Sequence, residues 1–227
     1  MQSVSRGRRF GQDKWAQQTT ERRGLSSSTR HKAMPMTARD VNEIYTLLLN
    51  RHVQIWLDGG WGIDALLGEQ TRPHKDLDAF VASDSLAAFT RTLSENGFVL
   101  KEIWSENRWL RYGAPVHLIA NAQAGEVATA FVLRDERGRE IDIHVLDIDA
   151  RGQPTPAWNC EISFSCDSLS GHGSIAGCPV RCLSAGMQMR THIGYELQAK
   201  DLQDLRHLQE RFGSVAADPQ NDPHTAS

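Results

Sequence analysis

A chain of 227 residues is long enough for one sizeable core, or for a core with a small helical annex. Its 40% hydrophobic and 23% charged residues are those of an ordinary globular protein, and no apolar run approaches the roughly 20 residues that span a bilayer. The net charge of −3 is uneven: residues 1–33 hold eight Lys/Arg against two acidic residues, leaving 17 basic against 26 acidic, a charge of −9, over residues 34–227.

An acidic body lacks the basic face that an extended phosphate backbone needs, so nucleic acid is not an expected partner. A nucleotide whose charge is carried by a divalent metal is compatible with it. The basic N-terminus has no apolar middle, so it does not read as a secretory signal, and a cytoplasmic address is expected. Cys160, Cys166, Cys178 and Cys182 contain no C-x-x-C pair, which speaks against a zinc site and for free thiols in a strand-rich region.

In chain order, residues 1–33 are rich in Arg, Gln, Ser and Thr and read as a disordered basic extension. A tail that touches nucleic acid is the competing reading. The folded domain is expected over 34–213, with a disordered tail at 214–227. Thr37 is placed to cap a helix whose apolar face is Val41, Ile44, Tyr45 and Leu48. A short buried strand, Val53–Leu57, leads into a tight turn at Gly59 and Gly60. A two-turn helix, "WGIDALLG", follows and closes at Gly68.

The next strand is "DLDAFVA", Asp76–Ala82. Ser83 or Asp84 then caps a helix with Leu86, Phe89 and Leu93 on one face, ended by Gly97. Strands are expected at Phe98–Ile103, Trp109–Tyr112, Val116–Ala120 and Ala128–Arg134, then Arg139–Ile148 after the turn "DERG". Arg151–Ser174 reads as loop with at most one hairpin. Ser184 caps a helix running to about His192, broken by Gly194. A final helix, Leu197–Phe212, is expected to turn Leu202, Leu205 and Leu208 inward. The pattern is α+β: a mixed central sheet with flanking and C-terminal helices.

The chemistry concentrates in carboxylates. Asp76 and Asp78 lie two apart on a strand, so both side chains leave one face while Leu77 enters the core. In "EIDIHVL", Asp142 stands between two core-facing isoleucines and shares its face with His144. Three aspartates gathered from adjacent strands want a hard cation, and such oxygen donors suit Mg²⁺ held together with substrate phosphates. The upstream glycine pair frees backbone N–H groups at a helix start, where anions are held.

"GG" on a turn, then "DLD", then an isolated Asp on a later strand resembles the nucleotidyltransferase superfamily typified by DNA polymerase β. "WLDGGWGIDALLG" with "TRPHKDLD" looks like the small antibiotic nucleotidyltransferases, and "EIDIHVL" with "HIGYEL…KDLQDLRHL" most resembles the lincosamide O-nucleotidyltransferases. The resemblance covers about Thr37–Phe212. It implies the polymerase β-like fold, with Mg²⁺ as cofactor and an NTP, ATP first, as co-substrate. It implies that Asp76 and Asp78 coordinate Mg²⁺ and the triphosphate, and that Asp142 is the third carboxylate, orienting or deprotonating the acceptor hydroxyl. Gly59 and Gly60 would hold the phosphates. Asp58 agrees with the lincosamide branch, and its role stays open.

Arg72 and Lys75 either neutralise the triphosphate or are surface charges of a loop. His74 either orients a metal ligand or makes a structural hydrogen bond, and His144 either assists as base or pins Asp142. Asp64 suits a local hydrogen bond to the loop. Trp61, Trp104 and Trp109 offer stacking faces or core, and Lys200 a phosphate contact or a solvated charge. The expected activity is transfer of a nucleoside monophosphate to a lincosamide hydroxyl, with pyrophosphate released. An aminoglycoside acceptor and a non-catalytic antitoxin or interaction module are the alternatives. A homodimer in which one subunit completes the other's drug pocket stays open.

Overall fold

The structure is a computed structural model that describes residues 35–105, 108–111, 130–156, 162–192 and 197–213. The expectations for both termini, for a strand at Val116–Ala120, for Gly194, for Cys160 and for the Trp104 and Trp109 side chains lie outside the residues whose placement is described. Among the described residues nine strands form one mixed sheet with five α-helices around it.

Helix α1 (Ala38–Leu49) starts at Thr37, whose side chain accepts from the Asp40 N–H while Asp40 bonds back to the Thr37 N–H. Its buried face holds Val41, Ile44, Tyr45 and Leu48. Strand β1 (Ile55–Asp58) runs straight into α2 (Gly59–Leu67), which Gly68 ends in the left-handed conformation. The expected separate turn is therefore absent: Gly59 and Gly60 are the first two residues of the helix itself.

Strand β2 (Leu77–Ala82) begins one residue later than expected, so Asp76 precedes the ladder. A short 3₁₀ turn (Ser83–Ser85) leads to α3 (Leu86–Glu95), with no side-chain cap from Ser83 or Asp84. Then come β3 (Val99–Ser105), β4 (Arg108–Arg111), β5 (Ala130–Arg134) and β6 (Glu140–Ile148). Short β7 (Pro154–Pro156) pairs with β6, and the hairpin is β8 (Gly171–Ile175) with β9 (Cys178–Cys182), farther along than expected. Ser184 caps α4 (Ala185–Thr191) through the Met187 N–H, and α5 (Ala199–Phe212) closes the fold.

The strand order is β4-β3-β5-β6-β2-β1-β9-β8. At its centre β1 pairs antiparallel with β2, and β2 pairs parallel with β6. Alternation sorts these three strands cleanly. Leu57, Leu77, Ala79, Val81, Ile141, Ile143 and Val145 join the core under α1 and α3. Trp56, Phe80, Ala82 and Leu146 face the other way, onto Phe164, Leu169, Leu183 and Met187. Helix α2 bridges the two ends, with Ile63 packed on Met189 of α4 and Leu208 of α5.

One expectation about α5 fails. Leu208 is buried and Leu205 half-buried, but Leu202 is 51% exposed. The inward positions are taken by Asp201 and Asp204, which have partners of their own.

Candidate active site

The sheet register lines up three carboxylates. Asp58, the last residue of β1, stands opposite Asp78 of β2, and Asp78 stands beside Asp142 of β6. Residues paired across a ladder share a face, so all three belong to the side away from the main core. One step along the same strands lie Trp56, Phe80 and His144, with the Phe80 and His144 rings 5.3 Å apart. Asp142 and Asp58 are buried and Asp78 is half-buried. Asp76 comes two residues before Asp78, at the mouth of the strand, and is also half-buried.

The glycine pair is fitted to this row from above. Gly59 has φ +57°, and a Cβ there would meet Asp78 Oδ2 at 2.8 Å. A Cβ on Gly60 would sit 2.2 Å from His74 Nδ1. The missing side chains thus let the carboxylate row and the His74 ring reach the first turn of α2, where the backbone N–H groups have no helical partner.

Asp58 caps α2 in extended conformation but makes no side-chain capping bond. Burial raises its pKa, and the Gly59 N–H and His192 offset that in part. Its Oδ1 and the Oε1 of buried Gln188, whose Nε2 donates to Leu57 O at 3.3 Å, accept no hydrogen bond among the described residues. Cys182, beside Leu57 on β9, has its thiol pushed up to about 12 by burial and then by the Asp58 charge.

The segment between α2 and β2 is tied down by side chains. Asp64 Oδ1 accepts from Thr71 N at 3.0 Å and Thr71 Oγ1 at 2.7 Å, the local loop bond expected of it. Asp64 Oδ2 meets His74 Nε2 at 2.5 Å, and His74 Nδ1 lies 3.1 Å from Arg72 Nη1. A guanidinium can only donate, so Nδ1 accepts and Nε2 carries the proton given to Asp64. His74 therefore makes structural bonds, with its ring 4.6 Å from that of buried Trp61.

Arg72 is neither a surface charge nor turned wholly to a ligand. Its Nη2 donates to Asp204 Oδ2 at 2.6 Å and its Nε to Asp204 Oδ1 at 3.2 Å. Burial opposes its charge, but Asp204 with Asp64 and Asp201 outweighs that and raises its pKa. Lys75 is exposed beside Asp76, and Lys200, 51% exposed, lies 3.5 Å from Asp201. Asp204 escaped the sequence reading because a carboxylate in "AKDLQDL" looks like a solvated helix charge. The expected strand stops at Leu57 and leaves the role of Asp58 open; β1 runs on to Asp58, and its place in the row needs the β1–β2 register.

The donor set suits a hard cation that brings further oxygens of its own. Among the described residues no three His, Cys, Asp or Glu side chains are grouped to hold a metal by themselves. Mg²⁺ commonly takes one or two carboxylates and completes its shell with phosphates and water. Carboxylates in register beside a helix N-terminus fit that pattern.

Known proteins share this arrangement of chain. A family model described as aminoglycoside-2''-adenylyltransferase matches residues 40–120 and 116–208. A lincosamide resistance protein of Staphylococcus haemolyticus is 26% identical over 176 residues, which is 76% of this chain and 94% of that protein. The structure of the lincosamide antibiotic adenylyltransferase LnuA with lincomycin bound has a TM-score of 0.60 at 23% identity, covering 78% of this chain and 98% of that one. That of ANT(2'')-Ia in complex with adenylyl-2''-tobramycin has a TM-score of 0.55 at 20% identity, covering 78% and 89%. The mixed sheet and its helices are thus the nucleotidyltransferase fold. The family model spans most of the chain, which belongs to the aminoglycoside-2''-adenylyltransferase family of antibiotic nucleotidyltransferases.

Proposed function

We propose that the protein transfers a nucleoside monophosphate from an NTP, ATP first, to a hydroxyl of a lincosamide, releasing pyrophosphate and conferring resistance to the drug. The observation that carries this reading is the register Asp58–Asp78–Asp142 under the N-terminal turn of α2. Asp76, Asp78 and Asp142 would hold Mg²⁺ together with phosphate oxygens. The ion would offset negative charge on the triphosphate.

The chain's own groups do the rest. The Gly60 N–H donates to a phosphate oxygen, the Gly59 N–H joins it once it leaves the Asp58 carboxylate, and exposed Lys75 lends its charge to the same side. Arg72 braces this cradle through Asp204 and His74. Asp142 accepts the proton of the acceptor hydroxyl as that oxygen bonds to the α-phosphorus. The bond from the α-phosphorus to the bridging oxygen breaks, and pyrophosphate leaves with the electron pair. His144 shares the face of Asp142 and limits water there with Phe80.

The relative from Staphylococcus haemolyticus, matched over 94% of its length, supports a lincosamide acceptor. The description of the matching family supports an aminoglycoside as the second reading. No described helix is long and apolar enough to cross a membrane, and NTP and Mg²⁺ are both supplied in the cytoplasm, where we place the protein. A pyrophosphate-release screen of four NTPs against both drug classes, with mass spectrometry of products, tests the assignment. The expected product is a lincosamide heavier by one AMP. Product from aminoglycosides alone would establish the second reading, and no product from either class would refute both.

A further inference from the structure

Strand register fixes Asp58, Asp78 and Asp142, but Asp76 stands outside the ladder, at the end of the segment Thr71–Lys75. One backbone bond to the start of the fold, Met36 N to His74 O at 3.0 Å, holds that segment. Its side chains run in a continuous line, from Thr71 to Asp64, from Asp64 to His74, from His74 to Arg72, and from Arg72 to Asp204 on α5. The line is shielded from water: the side chains of Asp64 and Asp204 are each 1% exposed, His74 4% and Arg72 19%. It also lies against Gly60, where a Cβ would reach His74 Nδ1 at 2.2 Å and Arg72 Nη2 at 3.0 Å.

We infer that Arg72 is a positioning residue: with Asp204 and His74 it fixes Thr71–Lys75, sets Asp76 and the start of α2 at Gly60 for the metal-bound triphosphate, and so makes nucleotide binding depend on the docking of α5. This rests on the proposed nucleotidyl transfer. The link requires arginine. Its planar fork bonds Asp204 through two nitrogens and His74 through the third, which a lysine ammonium cannot reproduce. Loss of either partner leaves a buried charge without its counterpart, and the segment leading to Asp76 shifts to find water.

Arg72→Lys keeps the charge and Asp204→Asn keeps the volume, so the two variants probe one link from opposite ends. Calorimetry with a non-hydrolysable ATP analogue and Mg²⁺, drug absent, gives the dissociation constant, and thermal unfolding reports the fold. Each variant is expected to raise the dissociation constant about 10–100-fold, the usual cost of losing a partner behind a metal ligand. The double variant should be no weaker than the worse single one, since both remove one link. Dissociation constants within twofold of wild type alongside lowered melting temperatures would reduce the line to scaffold and overturn the inference. No nucleotide binding by the wild type would instead sink the proposed function beneath it.

Discussion

A carboxylate that only supplies charge and one that takes a proton answer differently to the same substitution. Asp142 is buried between Ile141 and Ile143, both fixed in the core, so Asp142→Asn changes the group without moving it. Steady-state kinetics should show kcat lowered by about 10²–10⁴-fold, the range of a lost general base, with nucleotide affinity within a few-fold. A kcat within tenfold of wild type across pH 6 to 9 would move the base role to His144. Asp78→Asn should abolish transfer through lost nucleotide binding instead, and the fold should persist because one of several crowded anions is gone. A different residue reports on burial alone. With its thiol pushed up to about 12, Cys182 should resist iodoacetamide at pH 8 until the protein is unfolded, while exposed Cys166 and Cys178 react. Native labelling at Cys182, read by peptide mass spectrometry, would contradict its placement.

Elements were legible where their own periodicity decides them. Helix α1 follows its apolar spacing because nothing distant competes, and its cap is a local exchange between Thr37 and Asp40. Asp40 also meets Arg137, in the turn between β5 and β6, at 2.5 Å. Burial pushes the Asp40 pKa up, but the Thr37 bonds, then Arg137 and Arg139, outweigh it and leave it lowered. A depressed carboxylate contributes stability above its unfolded value, about 3.9, and loses it as pH falls through the folded value. Asp40→Asn should therefore destabilise the protein at pH 7, and the gap to wild type should narrow as pH is lowered from 7 to 2 in urea titrations. An equal cost at both ends would show that charge plays no part. Helix α5 was misread for the opposite reason. Asp204 turns inward because Arg72, 132 residues away, is there to meet it, and no local pattern encodes that. Leu202 is turned outward as a result.

At the scale of the whole molecule, the row of carboxylates exists because β6 enters the sheet beside β2 rather than beside its neighbours in sequence alone. Alternation gave Asp78 and Asp142 their faces, whereas Asp76 precedes the strand. The parallel pairing of β2 with β6 made the two faces one, and the antiparallel pairing of β1 with β2 added Asp58, which alternation could not foresee. A body of charge −9 over residues 34–227 that gathers carboxylates there should accept a triphosphate only with a divalent cation. Ligand that binds only the folded state stabilises it by about 2.7 kcal/mol at a hundredfold excess over the dissociation constant. For a domain of this size that corresponds to a rise in Tm of about 5–11 °C. Mg²⁺ with a non-hydrolysable ATP analogue should produce such a rise in the wild type, and the analogue with EDTA should produce little. Asp142→Asn should keep most of the shift because Asp76 and Asp78 remain, whereas Asp78→Asn should lose it. A full shift in EDTA would mean that the cradle binds phosphate without metal, and an undiminished shift in Asp78→Asn would remove that carboxylate from the site.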